Sequence, residues 1–232
     1  MAEPLPALCL RIASVQVGMP RQFPADDSRR PWVSGIIKEP VQGKVDVGPT
    51  NLGGDGQADL VHHGGADKAV LLYPGEHFRH WQTEFPDVRW GSGTFGENFT
   101  TSGGLETDVC IGDVFAVNNC RLQVSQPRQP CWKLSRRWEL PSLAVRVQQT
   151  RRTGWYFRVL QCGSVGPGDS MVLCDRPHRD WTVAAANDVM YGKPRNLERR
   201  AELAACEALS HAWRSVLVQR DEPRPERGED HK

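Results

Sequence analysis

The amino-acid sequence predicts a mainly β protein, in which a closed or strongly bent β-barrel carries a few helices and is followed by a small three-helix domain. The 232 residues include 22 glycines and 17 prolines, a composition that is rich in turns. Residues 111–117 and 165–173 repeat one pattern, a Gly-Asp turn that leads into an apolar strand. With strands predicted over 120–124 and 155–160, this repetition indicates a sheet that closes on itself or bends strongly.

The barrel domain is predicted to occupy residues 1–178, and its elements follow from local patterns. Apolar and polar residues alternate over residues 9–17, which predicts the first strand. Residues 21–30 are polar and contain proline, which is typical of a surface loop, and an extended segment follows over 32–43. Helical spacing or a proline suited to a first turn predicts helices over residues 74–85 and 141–147.

The pattern becomes helical after residue 178, and a three-helix domain is predicted over residues 179–220. Each helix follows a side chain that can accept a hydrogen bond from the first turn, and these N-caps are Asp180 or Thr182, Asn196 and Ser210. The helices are predicted over residues 183–190, 196–209 and 210–220. One face of the middle helix is predicted to consist of Leu197, Ala201, Ala204, Ala208 and Leu209. Residues 221–232 are charged and lack large apolar side chains, which predicts a disordered tail.

Charge and cysteine content argue against several classes of protein. The 29 basic and 28 acidic side chains leave a net charge of +1, so no overall field attracts nucleic acid or an anionic membrane surface. No run approaches 18 apolar residues, and the start lacks a secretory pattern, so we expect a soluble, cytoplasmic protein with neither nucleic-acid nor membrane partners. The seven cysteines include no CxxC pair, which excludes a disulfide framework or an iron–sulfur ligand set by spacing.

Cys131 is the first candidate for a functional residue. It follows Pro127 and Pro130, which restrict the backbone of the loop and hold the thiol at a set position. A nearby cation such as Arg128 favours the thiolate, the form that acts as a nucleophile or binds a metal. A small buried apolar side chain is the ordinary alternative for a free cysteine.

Three other segments carry groups that could bind a ligand. Glycines at positions 53, 54, 56, 64 and 65 could let backbone N–H groups surround an anion, although a generic glycine-rich turn fits them equally well. Glu97 and Asn98 follow a glycine and precede an aromatic residue, and an amide there could hold a heterocycle or only cap a turn. Lys38 stands between an apolar pair and a proline, where a solvated lysine is usual.

Seven short motifs, taken together and in this order, resemble the pattern of MOSC-domain proteins, and in particular the bacterial YiiM type. The resemblance extends from about residue 10 to about residue 218. The motifs are Lys38-Glu39-Pro40-Val41, Gly54-Asp55, His62-His63-Gly64-Gly65, Gly96-Glu97-Asn98-Phe99, Ile111-Gly112-Asp113, Gln126-Pro127-Arg128-Gln129-Pro130-Cys131 and Thr153-Gly154-Trp155-Tyr156-Phe157-Arg158-Val159-Leu160.

The resemblance implies a molybdenum cofactor, a molybdopterin that carries the metal, with Cys131 as the protein's thiolate ligand to molybdenum. It also implies a molybdenum-dependent oxidoreductase that reduces N-hydroxylated compounds, including N-hydroxylated purine bases, to the amine or imine. Lys38 and the backbone of Gly64 and Gly65 would neutralise the cofactor phosphate. His63, Asn98 and Arg128 would bind the pterin or an oxo group. Tyr73 would stack on the pterin or form a hydrogen bond with it. His63 and Glu97 would transfer protons.

The sequence offers no route for electrons within the chain, because it has no iron–sulfur cysteine cluster and no flavin or nicotinamide fingerprint. A separate electron-donor reductase is therefore expected, beside a small-molecule N-hydroxylated substrate, and a homodimer is left open. Two alternatives also stay open. One is a MOSC-type sulfur carrier with a persulfide on Cys131, and the other is a non-catalytic module that binds a pterin or nucleotide.

Overall fold

Strands carry most of the fold in this computed structural model, which describes residues 5–24, 30–60 and 63–219. Within those residues the strands are β1 (Cys9–Val17), β2 (Arg21–Phe23), β3 (Trp32–Ser34), β4 (Glu39–Pro40), β5 (Val45–Val47), β6 (Val70–Pro74), β7 (Phe99–Ser102), β8 (Val114–Val117), β9 (Cys120–Pro127), β10 (Trp155–Gln161), β11 (Gly163–Val165) and β12 (Ser170–Asp175). Seven of these described strands form a closed barrel in the order β12, β8, β9, β10, β6, β7, β1, since β1 pairs again with β12. The predicted barrel is confirmed.

The two Gly-Asp turns have the same local geometry, and each precedes one of two neighbouring strands of the barrel. Gly112 and Gly168 have φ angles of 86° and 89°, a conformation that strains residues with a Cβ atom. The aspartate that follows each glycine accepts a hydrogen bond from a backbone N–H three residues earlier, at 2.8 Å for both Asp113 and Asp169. Because β8 and β12 pair with each other, the repeat in the sequence corresponds to adjacent strands in the structure.

Six α-helices lie in the described residues: α1 (Phe78–Glu84), α2 (Trp132–Trp138), α3 (Leu143–Thr150), α4 (Val183–Tyr191), α5 (Leu197–Ala204) and α6 (His211–Val218). Short 3-10 helices cover Ala66–Lys68 and Gly75–His77. The predicted N-caps of the last three helices are confirmed, because the side chains of Thr182, Asn196 and Ser210 each accept a hydrogen bond from the N–H three residues ahead. No helix in this part of the chain is long and apolar enough to span a membrane.

The barrel and the three C-terminal helices share one hydrophobic core. Leu203, Leu209 and Trp213 are buried in the same cluster as the barrel's Val124 and Phe157. The division into domains at residue 178 stays a prediction. A second, smaller core lies between α1, α2 and α3 and consists of Tyr73, Trp81, Trp90, Phe95, Leu134, Leu143 and Val147.

Several local predictions are wrong. Arg21–Phe23, expected in a loop, forms β2 and pairs with β3, and residues 25–29 of that predicted loop lie outside the described part of the chain. Helix α5 ends at Ala204, not at residue 209, and its buried face contains Leu203, whereas Leu197 is 72% exposed. Helix α2 was not expected, because its polar side chains mask the helical period. The tail predicted to be disordered, residues 221–232, is also outside the described residues.

Candidate functional site

A small pocket of about 90 Å³ adjoins a wider cleft of about 670 Å³ at one side of the barrel. The pocket and the cleft share six lining residues, so they form one continuous depression, called the cleft below. The shared residues are His63, Lys68, Gln129, Cys131, Lys133 and Tyr156.

Cys131 reaches the cleft because a strand ends and a helix begins within a few residues. Strand β9 ends at Pro127, and the Arg128 N–H donates to the Gly154 carbonyl at 3.0 Å, which fixes the exit from the barrel. Cys131 has extended backbone angles directly before α2, and its carbonyl accepts from the Leu134 N–H at 3.1 Å. The half-buried thiol is therefore presented from a short connection that is bonded to the barrel at one end and to a helix at the other.

His63 and Lys68 also line the pocket, on a loop that is bonded to the barrel. Within that loop, Asp67 forms an ion pair with Arg158 at 2.8 Å, and its carbonyl accepts from the Ser125 hydroxyl at 2.6 Å. Burial, aided by the positive charge of Lys133, lowers the pKa of His63 to about 4. The imidazole is therefore neutral at pH 7.

Gly64 and Gly65 shape this loop but do not line the cleft. A Cβ atom at Gly64 would lie 2.9 Å from the Leu60 Cα, and Gly65 has a φ of 95° directly before the 3-10 helix that carries Lys68. Neither glycine is among the residues that line the pocket or the wider cleft, and their contact with the cofactor phosphate stays a prediction. His62 of the same motif lies outside the described residues.

Arg128 carries a buried polar atom at the pocket that a ligand could bind. The side chain is only 5% exposed, and its Nη2 donates to the Phe95 carbonyl at 3.1 Å. Its Nη1 atom is buried without a hydrogen-bond partner in the structure. A buried guanidinium nitrogen without an acceptor is costly, so a ligand with an acceptor oxygen would relieve it.

The small pocket is cationic, whereas the wider part of the cleft is also lined by the Asp59 carboxylate. Among the described residues the lining of the small pocket holds four basic side chains and no carboxylate, namely Lys38, Lys68, Arg128 and Lys133. Burial also lowers the pKa of Lys68 and of Lys38, because charged ammonium groups lose hydration there. No three His, Cys, Asp or Glu side chains in the described ranges cluster to hold a metal ion. This lining suits an anion better than a bare cation.

Lys38 and Asn98 line the pocket, but other protein groups already bind their polar atoms. Lys38 Nζ forms an ion pair with Asp55 Oδ1, which also accepts from the Gly18 N–H at 2.8 Å. Asn98 Nδ2 donates to Asp55 Oδ2 at 2.8 Å, and its Oδ1 accepts from the Leu71 N–H at 3.0 Å. These side chains therefore support the pocket wall, and Lys38 brings a charge that Asp55 neutralises.

The structure does not bring Glu97 or Tyr73 to the cleft. The Glu97 carboxylate is fully buried and accepts from the Gly93 N–H at 2.6 Å, the Phe95 N–H at 3.0 Å and the Thr100 hydroxyl at 2.9 Å. Tyr73 is also fully buried, with its ring stacked on Phe95 at a centroid distance of 4.1 Å. Both side chains are closed off from a ligand in the cleft, and both contact Phe95, which lines the pocket.

Of the six residues that the pocket and the wider cleft share, sequence reasoning missed four, namely Lys68, Gln129, Lys133 and Tyr156. Tyr156 could have been found, because Trp155 and Phe157 point into the core and the alternation along β10 directs Tyr156 the other way. Lys133 could not have been predicted in the lining without helix α2, which the sequence pattern did not reveal.

Comparison with known proteins identifies the class of protein to which this chain belongs. Residues 59–172 match the MOSC domain family, and residues 181–220 match the family described as YiiM-like, 3-alpha helix domain. The chain is 41% identical over 209 residues to the uncharacterized protein YflK of Bacillus subtilis (strain 168), which is 90% of this chain and 93% of that protein.

Two further relatives are a solved YiiM structure and a longer fungal protein. The crystal structure of YiiM from Geobacillus stearothermophilus superimposes with a TM-score of 0.75 at 36% identity, and covers 90% of this chain and 97% of that one. A protein named "Reductase" from Gibberella moniliformis is 35% identical over 172 residues, 73% of this chain and 30% of that protein. The chain belongs to the YiiM type of MOSC-domain proteins, a barrel domain followed by a three-helix domain.

Proposed function

We propose that the chain is a molybdenum-cofactor-dependent reductase that removes oxygen from N-hydroxylated compounds and releases the amine or imine. The observation that carries the proposal is the buried Arg128 Nη1 without an acceptor, in a cationic pocket that also presents the Cys131 thiol. The relative named "Reductase" supports the same class of reaction, although it is more than three times as long as its matched part.

The residues present fit the cofactor. A molybdopterin ends in a phosphate, whose oxygens would accept hydrogen bonds from Arg128 Nη1 and from the ammonium group of Lys133. A thiolate from Cys131 is a suitable ligand for the metal, because soft sulfur ligands already surround it in the cofactor. When bound, the cofactor supplies the two-electron reduction, and the protein supplies binding and orientation.

The reaction needs electrons and protons in addition to the substrate. Conversion of R–NH–OH to R–NH₂ and water consumes two electrons and two protons, and a separate reductase protein would supply the electrons. Neutral His63 is a poor acid at pH 7, and Glu97 is outside the cleft, so neither suits proton donation. Lys68, an ammonium group whose pKa burial lowers, is the better placed donor. His63 can instead donate a hydrogen bond to the substrate oxygen.

Metal analysis and turnover together test the proposal. Protein purified from a host that makes the molybdenum cofactor should hold about one molybdenum per chain and should reduce an N-hydroxylated base with reduced methyl viologen as electron source. A sulfur carrier would instead lack molybdenum and release thiocyanate on treatment with cyanide. Bound cofactor without turnover of any N-hydroxylated compound would favour a non-catalytic binding module.

A further inference from the structure

The C-terminal helices form part of the cleft itself. Ala212 and Val216 of α6 line the wider part, together with Pro130, Cys131 and Trp132 of the cysteine loop. The cleft thus has one wall from the barrel domain and one apolar wall from the three-helix unit.

Helix α6 is bonded to both segments that carry the polar cleft residues. The Ser210 N–H at its start donates to the Ser125 carbonyl at 2.9 Å, on the strand that leads to Cys131. The His211 N–H donates to Asp67 Oδ2 at 3.4 Å, in the loop that carries His63 and Lys68. Trp213 is buried in the common core, so the apolar wall is held in a fixed position relative to the thiol.

Trp132 is an exposed aromatic ring at the edge of the same cleft. The residue is 55% exposed, although it adjoins Cys131 in the chain. Its ring contacts Trp32 at a centroid distance of 5.6 Å, and the guanidinium of Arg136 lies 5.9 Å from it. These contacts orient the indole while leaving much of it accessible. A large exposed indole beside a ligand cleft is typical of a recognition surface.

We propose that Trp132 and the α6 wall form a slot that selects planar aromatic N-hydroxylated compounds over aliphatic ones. The inference rests on the proposed function. Every heteroaromatic base has a π-face that can stack on an indole, whereas an aliphatic hydroxylamine has none. Ala212 and Val216 line the same cleft and offer no polar side-chain atoms, so a flat apolar molecule gains more from burial there than a small polar one. The three-helix unit then determines substrate choice, and the barrel performs the chemistry.

The test compares two substrates across four variants of the full-length, cofactor-loaded protein. Initial rates per bound molybdenum are measured for N-hydroxylated adenine and for N-methylhydroxylamine with reduced methyl viologen. Trp132→Ala should raise KM for the aromatic substrate about tenfold and change the aliphatic KM less than threefold, while Trp132→Phe keeps most of the selectivity. Val216→Arg should fill the slot and have the same selective effect. Val218→Arg is its matched control, since Val218 is 69% exposed on the same helix and does not line the cleft.

Binding of adenine, measured by calorimetry, separates this inference from the proposed function. If no N-hydroxylated compound is reduced but adenine binds and Trp132→Ala weakens binding about tenfold, the slot stands and the reductase proposal fails. If both substrates are reduced and Trp132→Ala or Val216→Arg changes them equally, the slot is wrong and the reductase stands. Equal effects of Val216→Arg and Val218→Arg would also overturn the slot.

Discussion

Two sets of residues around the cleft differ in their part in it, since one supports the wall and the other presents side chains to the cleft. One set, here called the frame, consists of Lys38, Asp55, Glu97 and Asn98, whose charged and amide groups are bonded to other protein atoms. The other set, here called the face, consists of His63, Lys68, Arg128, Cys131 and Lys133, which line the cleft. The frame fixes the shape of the wall, and the face presents thiol, imidazole and positive charge to a ligand.

This difference has an energetic consequence. Buried polar groups that are fully bonded make the wall rigid, and removal of one partner leaves another group unsatisfied. The clustered cations of the face repel one another, and an anion that binds only the folded state would offset that repulsion and stabilise the fold. Substitutions in the frame should therefore act on stability, and substitutions in the face on binding and activity.

The largest expected effect is on activity and comes from Cys131→Ser in the face. A hydroxyl is a much poorer ligand than a thiolate for a soft metal centre, so turnover should fall more than a hundredfold while the melting temperature stays nearly unchanged. Reduction of an N-hydroxylated base by the purified variant is the measurement. Cys162→Ser, at an exposed cysteine, is the matched control and should keep full activity. Full activity in Cys131→Ser would remove the thiolate from the mechanism.

Among substitutions in the frame, Lys38→Ala should lower the stability of the fold the most. The change leaves the Asp55 carboxylate buried without its ion-pair partner, which should lower the free energy of unfolding by about 3–5 kcal/mol. Loss of cofactor should follow from the weakened wall. Urea unfolding monitored by fluorescence measures the effect, with Lys44→Ala at an exposed lysine as control. A loss below about 1 kcal/mol would mean that the Asp55 charge is solvated, and Lys38 would then belong to the face.

The sequence alone could predict the barrel, the helical caps and the restricted loop that carries Cys131, because each depends on local patterns or a short motif. It could not show which of these residues belong to the frame and which belong to the face. Glu97 and Asn98 sit next to each other in the chain, yet one is closed inside a turn and the other reaches the pocket wall. The donors to Glu97 come from Gly93 and Phe95 of its own turn, whereas Asn98 contacts Asp55, which is distant in the sequence and is brought near only by the tertiary fold. The family resemblance placed Tyr73 near the cofactor. In the structure its buried ring stacks on Phe95.

Glu97→Gln tests the assignment of a motif carboxylate to the frame. The amide nitrogen would face a backbone N–H in place of an acceptor oxygen, which should lower the free energy of unfolding by about 1–3 kcal/mol. Burial raises the pKa of Glu97, but donors contact both of its oxygens, so the variant lacks one acceptor. The measurement is thermal unfolding beside Glu207→Gln, an exposed control. Unchanged stability with lost activity would return Glu97 to the role of a proton donor.

The smallest expected effect concerns the pH dependence that His63 imposes on the face. Because the pKa of His63 falls from 6.5 in the unfolded chain to about 4 in the fold, the unfolded state binds more protons between these values. Stability should therefore decline as the pH falls from about 6.5 toward 4, with this histidine contributing at most about 1–2 kcal/mol because its ring is only half-buried and partly screened. His63→Gln should flatten that part of the curve, whereas His211→Gln, at an exposed position, should leave it unchanged. An unaltered curve in His63→Gln would show that the imidazole is solvated when the cleft is open, and His63 would then not form part of a dry binding surface.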